Sequence, residues 1–370
     1  MRYDLTTLPL TTFLPAIVKA EDMLARLDER VLRHVVAEGF RERGHFFDAA
    51  GALWVGGELV HVEDLVLHDA RMDARAPTHE LTIAHAVLRV RRRLWNADPS
   101  WGLEAAGLAA LSGDVGDVED AITRRPASVE MAEPDAQEED EDEDDFGVDF
   151  AEIDAILARS EKILSGGVPD AGRPEAIDDP LALVRDEDWD EDERLESWRA
   201  VIREADLLPP VLGAAVLFDA WERIEPLRRQ HWLGGLLVSA YLRSRGKVTS
   251  HLFCLNIGLK AVRHDRRRAS DRNTRLAAFL EAMVLSAESG LKELDRLSLA
   301  KLQMELRLKD RRSNSSLPEV IDIVLSRPIV STKMIARHVG VTPRGALNLV
   351  SELGLREMTG RGRYRGWGVL

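Results

Sequence analysis

Eight consecutive acids, Glu138 to Asp145, constrain the fold of this chain more than any other feature. Such a run repels itself and has nothing to bury, so no hydrophobic core can pass through it. Pro126, Pro134 and small polar residues flank it, and a looser acidic stretch with Pro169, Pro174 and Pro180 follows. Residues 114–190 therefore read as an acidic, largely disordered linker. A short helix over 150–164, carrying Ile153, Ile156, Leu157 and Leu164, interrupts it and ends at Gly166-Gly167. Two roles for the acidic run stay open: an extended solvating tether, or a DNA mimic that competes for a basic surface elsewhere in the chain. Packing is left to an N-terminal helical domain over 1–113, a second helical domain over 191–312, and a C-terminal module over 313–370.

The remaining composition points to helices. Ala, Leu, Arg and Glu are abundant, and only 5% of residues are aromatic. Phe13, Ala16, Ile17, Ala20, Met23, Leu24, Leu27 and Val31 recur at helical spacing, which predicts an amphipathic helix from 12 to about 36. No apolar run reaches membrane length, and the start, MRYDLTTLPL, lacks the pattern of a secretory signal. The expectation is a cytoplasmic protein with no membrane partner. Cys254, the single cysteine, sits in an apolar phrase and is expected to be a small buried hydrophobe.

A segment rich in histidine and acid runs from His61 to His85. His79-Glu80 and His85 do not make the zinc motif H-E-x-x-H, because six residues turn a helix through about 600° and point the two rings apart. His61 and His68 could share a face, which fits capping and polar contact within the core. No metal and no cofactor are expected. Lys260 to Arg275 holds seven cations against Asp265 and Asp271. It could be a second phosphate-binding surface, a partner for the acidic run, or a solvated loop. Leu294, Leu299, Leu302 and Leu306 form a stripe that serves either core packing or a homodimer seam.

The C-terminal module spells out a device. Ser331 to Val339 can be one helix, Gly340-Val341 a turn and Pro343 to Leu353 a second helix. Gly340 stands where the turn needs positive φ, and Thr342-Pro343 supplies an N-cap followed by an N1 proline. Ile335, Ala336, Val339, Val341, Ala346 and Leu349 are apolar where the two helices must touch. Ser316-Leu317-Pro318-Glu319 reads as a capping box that opens the module's first helix. Leu355 to Met358 and Arg365 to Val369 can pair as a hairpin wing around residues 359–364. From Ser331 onward seven cations face Glu352 and Glu357, a local charge of +5 on a chain whose net charge is −14. That asymmetry fits a polyanion partner. Arg344 and Asn348 are the candidates for base contacts, since guanidinium pairs with guanine and carboxamide with adenine in the major groove. Lys333, Thr342, Arg361, Arg363 and Arg365 are the candidates for backbone or wing contacts.

Upstream, LPPVLGAAVLFDAWERIEPLRRQHWLGGLLVSAYLRSRG resembles the helix-loop-helix of the Fic family, whose members transfer AMP from ATP to a hydroxyl of a target protein. Along the motif H-P-F-x-D/E-G-N-G-R-x-x-R, Glu225 stands at the histidine, Pro226 keeps the proline, and Arg229 replaces the acid. Gln230, His231, Trp232 and Leu233 replace the phosphate cradle. The resemblance implies the helical framework without the chemistry, because Trp232 would crowd the cradle and Arg229 cannot ligate magnesium. Gly56 stands where the family's autoinhibitory glutamate would be. The phrase Glu352-Leu353-Gly354-Leu355-Arg356-Glu357-Met358-Thr359-Gly360-Arg361 is similar to the winged helix that ends many Fic proteins. LVHVEDLVLHDARMDARAPTHEL resembles an uncharacterised bacterial family with an N-terminal domain of unknown function and a C-terminal helix-turn-helix.

The expected protein is mainly α, with a helical Fic-like core and a C-terminal winged helix-turn-helix bearing a small β-hairpin wing. It is expected to bind double-stranded DNA as a sequence-specific transcriptional regulator and not to be an enzyme. Alternatives are a Fic-type AMP transferase with an atypical active site, and a protein-interaction adaptor with a vestigial winged helix.

Overall fold

The computed structural model describes residues 3, 5, 8–73, 76–112, 189–308, 316–359 and 365–369. The acidic run, the short helix expected over 150–164 and the wing tip with Arg361 and Arg363 lie outside the described residues. Every described helix and strand belongs to one compact unit formed by Met1–Thr123 with Asp190–Leu370.

Four helices come first: α1 (Leu10–Leu32), α2 (Ala37–Gly56), α3 (Val62–Asp69) and α4 (His79–Asn96). α1 buries Phe13, Ile17, Ala20, Leu24, Leu27 and Val31 of the predicted stripe, while Ala16 and Met23 at its edges are only half-buried. The middle of the chain contributes α5 (Glu191–Ala205), α6 (Pro210–Ile224), α7 (Leu233–Ser244), α8 (Leu255–Ala261), α9 (His264–Arg267) and the long α10 (Arg272–Leu306). α6 is apolar nearly all round and is buried from Val211 to Trp221, as such a helix must be. Trp198 of α5 stacks edge-on against Trp221, 5.2 Å between centroids, and its Nε1 donates to the Leu217 carbonyl at 3.0 Å. α1 lies along α10, and α2 packs on α4, α8 and the C-terminal module, so a single hydrophobic cluster runs through all three segments.

Two charged pairs sit inside that cluster. Arg91 of α4 meets Asp48 of α2 with both side chains fully buried, and Asp48 also accepts from the Asn256 backbone (2.8 Å) and side-chain amide (3.1 Å). Arg91 NH2 donates to the Leu252 carbonyl at 3.0 Å. Near α6, Asp219 takes Arg275 through Nε (2.6 Å) and NH2 (3.1 Å) and the Tyr3 hydroxyl at 2.5 Å.

The cation-rich stretch Lys260–Arg275 is in large part paired within the fold, although Lys260 and Arg263 stay exposed. Arg275 serves Asp219, Arg266 pairs with Glu281, Arg268 with Glu222 at 3.3 Å, and Arg267 is buried. Its acidic partners arrive from other helices. The leucine stripe on α10 divides instead of packing as one: Leu294 is buried, whereas Leu299, Leu302 and Leu306 are more than half exposed. The histidines pair in an unforeseen way, with the His68 and His85 rings edge-on at 4.8 Å. His68 Nδ1 lies 2.9 Å from Asp73, and His85 Nε2 lies 3.4 Å from Asp69. No helix of the described residues is long and apolar enough to cross a membrane.

Because Asp48 neutralises a guanidinium that has no water to turn to, Asp48→Ala should destabilise the fold by about 3–5 kcal/mol, with an unchanged slope of the transition in urea denaturation.

Candidate nucleic-acid interface

The C-terminal module consists of α11 (Leu317–Ser326), β1 (Val330–Ser331), α12 (Thr332–Val339), α13 (Pro343–Leu353), β2 (Arg356–Glu357) and β3 (Gly366–Gly368). α12 starts where Ser331 Oγ accepts from the Met334 amide at 3.2 Å. Gly340 ends it at φ 72°, and the chain turns directly into Thr342, whose Oγ1 accepts from the Gly345 amide at 3.1 Å. Pro343 then occupies the first turn of α13. The expected capping box at Ser316 does not form. Ser316 has ψ 4°, away from the extended backbone a cap requires, and its side chain makes no capping bond.

Ala346, Val350 and Leu353 turn α13 inward at positions i, i+4 and i+7, all at 2% exposure or less. The opposite face is open, and it carries Arg344, Leu347, Asn348 and Ser351. Lys333 and Arg337 are exposed on α12. Thr342 is exposed as well, with its hydroxyl oxygen engaged as the cap. Leu347, 40% exposed between the two candidate base readers, had no polar signal to draw attention to it in the sequence.

The hairpin wing is present and is part of a three-stranded antiparallel sheet in the order β1-β3-β2. Arg356 pairs with Gly368 and Glu357 with Trp367, and Val330 of β1 pairs with Trp367 on its other side. β1 was missing from the expected module because two residues immediately before a helix cap leave no alternating pattern to read. Arg365 donates to Glu357 Oε2 through Nε (2.9 Å) and NH2 (2.6 Å) and lies 5.6 Å from the Trp367 ring centroid. Its charge is thus offset within the wing, and the paired Glu357 carboxylate is what raises its pKa.

A set of cations clasps the module to the helical body. Arg43 of α2 donates to the Arg327 carbonyl at 2.5 Å and to Glu293 of α10 at 2.8 Å. Arg296 shares Glu293 and reaches the Val369 carbonyl at 2.9 Å. Arg327 itself lies 3.5 Å from Asp69 and 3.6 Å from Glu42. Burial alone would raise the Asp69 carboxyl, but the hydrogen bonds from His85 and Arg92 outweigh it and hold it well below the usual carboxylate range.

The loop between α6 and α7 brings the Fic-like positions together as follows. Glu225 closes α6 in the left-handed region at φ 47° and points to solvent. Pro226 is buried, and Arg229 and His231 are exposed. Trp221 Nε1 donates to the His231 carbonyl at 3.0 Å, and its ring lies 2.3 Å from where a Cβ on Gly234 would stand. Trp232 is 4% exposed. Gly56 at the end of α2 faces this loop, and a Cβ there would meet His231 Nε2 at 2.5 Å. Desolvation pushes His231 below its ordinary pKa.

Two helices joined by a tight turn, a third helix packed on them and a three-stranded sheet define a winged helix-turn-helix module. Residues 317–370 match the family described as "HTH DNA binding domain", and residues 183–309 match "Protein of unknown function (DUF1612)". The "Uncharacterized protein y4cF" of Sinorhizobium fredii is 46% identical over 386 aligned positions that cover the whole of both chains. The chain belongs to this family, in which a DUF1612 domain precedes a C-terminal helix-turn-helix.

Proposed function

We propose that the protein is a sequence-specific transcriptional regulator of the cytoplasm. In this reading α13 enters the major groove of double-stranded DNA, Arg344 and Asn348 read base edges, and Lys333, Thr342, Arg361, Arg363 and Arg365 hold the backbone or minor groove. The observation that carries it is the open face of α13. Its start is fixed by the Thr342 cap, so Arg344 and Asn348, one turn apart, project from a defined point with the core residues on the far side.

The body is read as a Fic-like scaffold without transferase chemistry. The helix-loop-helix of α6 and α7 supports this, as does the indole of Trp221 against Gly234, where a phosphate cradle would need open backbone. Gly56 against His231 puts the end of α2 over the same loop, at the position an inhibitory glutamate would occupy. A homodimer is part of the proposal. Leu299, Leu302 and Leu306 expose one face of the last turns of α10, and a second copy would cover that face while presenting two reading helices to a two-fold operator.

Genomic fragments selected on the full chain should yield an operator. Arg344→Ala should cost about 1–3 kcal/mol of preference for it over scrambled DNA, whereas Lys333→Ala should weaken binding to both and flatten the salt slope by about 0.9. Full affinity in both variants sinks the assignment. ATP labelled at its α-phosphate should transfer nothing to proteins of a lysate; transfer that disappears in Glu225→Ala would make the body an active transferase. Leu302→Glu should convert a dimer to a monomer in sedimentation, and an unchanged mass removes α10 from the interface.

A further inference from the structure

Away from the DNA-reading face, the described residues enclose a cavity of about 410 Å³ between α2, residues 59–62, the segment 251–257 and α10. That volume is in the range of small-molecule sites, roughly 300–1,000 Å³. The inside and the mouth differ in chemistry. Phe40, Phe47, Phe253 and Ile257 make the inside apolar. Its titratable groups are neutral, because burial pushes the Cys254 thiol up to about 12 and the His251 imidazole down to about 4. The polar atoms there are already engaged: Ser250 Oγ lies 2.9 Å from His251 Nδ1, and Ser286 donates to the Cys254 carbonyl at 2.5 Å.

The charged lining is Lys260, Lys292 and Arg296 against one acid, Glu293. Glu293 is already held by Arg43 and Arg296, and among the described residues neither lysine has a carboxylate partner. Lys260 and Lys292 are exposed, and the Lys260 ammonium stands 5.5 Å from the Trp54 ring centroid. We infer that this cavity is the binding site for an amphipathic organic anion, a carboxylic acid whose aromatic or branched hydrocarbon body fills the apolar interior and whose carboxylate meets the exposed ammonium of Lys260 or of Lys292 at the rim. The cations suit a carboxylate, and a wholly polar anion would gain nothing from the walls behind them.

The cavity also shares a wall with the clasp on the winged helix. Glu293 and Arg296 line it, and through Arg43 and Arg296 they hold the Arg327 and Val369 carbonyls. A ligand at the mouth competes for the same guanidinium and so alters how the module is seated. This regulatory part rests on the DNA-binding reading; ligand binding does not.

The probes are phenylacetate, indole-3-acetate and octanoate, each beside its uncharged amide, titrated into the full chain by calorimetry. At least one acid should bind saturably at one site and about tenfold more tightly than its amide, the contribution of a charge-assisted hydrogen bond. Lys260→Ala with Lys292→Ala should erase that tenfold preference and leave amide binding intact, and Ala50→Trp, which fills the cavity, should abolish both. No saturable binding by any acid, equal binding of acid and amide, or binding retained in Ala50→Trp overturns the site. Binding that appears only when residues 133–145 are deleted makes the chain's own acidic run the occupant and overturns it as well. Operator affinity with and without the bound acid should differ in the wild type and not in Glu293→Gln. No difference in the wild type refutes the coupling, whereas ligand binding without any DNA binding refutes the DNA reading alone.

Discussion

The Arg91–Asp48 pair is the constraint on which the rest of the structure depends. Neither side chain has any exposure, so each charge is tolerable only while the other stays in place. Asp48 further takes two amide donors from Asn256, and Arg91 binds the carbonyl of Leu252. Three segments from different parts of the chain, α2, α4 and the approach to α8, are thereby fixed in one register. From Ala49 to Ala52 the turn of α2 is buried all round and carries only glycine and alanine, small side chains that oppose a shift along the helix axis weakly. The buried ions remove that freedom.

What α2 then carries follows from its fixed position. Its inner face bounds the apolar cavity, its end meets the loop at His231, and Arg43 holds the winged helix by the Arg327 carbonyl. Asp69 adds a second tie, because Arg92, His85 and Arg327 all converge on it. Arg92 and Arg327 also flank the Phe46 ring at 5.2 and 5.1 Å, so the hydrophobic core and the ionic clasp share an edge there. The helix-turn-helix module is therefore seated on the body by oriented hydrogen bonds as well as by apolar contact. Seating of that kind favours one orientation over its neighbours.

Features governed by local chemistry were legible in the sequence. Gly340, Thr342 and Pro343 each act on their own backbone, and the α1 stripe needs only a helical period to be seen. Pairings between distant residues were not legible. Asp48 and Arg91 are 43 residues apart, and Asp219 and Arg275 are 56 apart, so nothing nearby marks either as buried. The same distance hid partners of Lys260 to Arg275, whose neighbours in sequence are mostly cations while Asp219, Glu222 and Glu281 reach it from elsewhere in the chain. Ser316 failed for the opposite reason. Its motif was local, but a cap needs an extended backbone as well as a hydroxyl, and the backbone there is turned. On the open face of α13, Arg344 and Asn348 could be placed from the turn and the cap, whereas the internal pairing of Arg365 with Glu357 depended on strand register.

α10 joins these parts into one lever. Over its 35 residues it binds Asp219 through Arg275 near the start, lines the cavity and grips the module through Glu293 and Arg296 in the middle, and exposes leucines near the end. A ligand in the cavity would have a short path to the winged helix, since Glu293 and Arg296 line the cavity and belong to the clasp. The energy required is modest. A tenfold change in operator affinity needs about 1.4 kcal/mol of difference between the two seatings of the winged helix. One charge-assisted hydrogen bond contributes about 1.5–3 kcal/mol, and Glu293 accepts one from Arg43 and two from Arg296. Redirecting a single one of them is sufficient, so coupling between cavity and operator requires a change in hydrogen-bond partner and no rearrangement of the core.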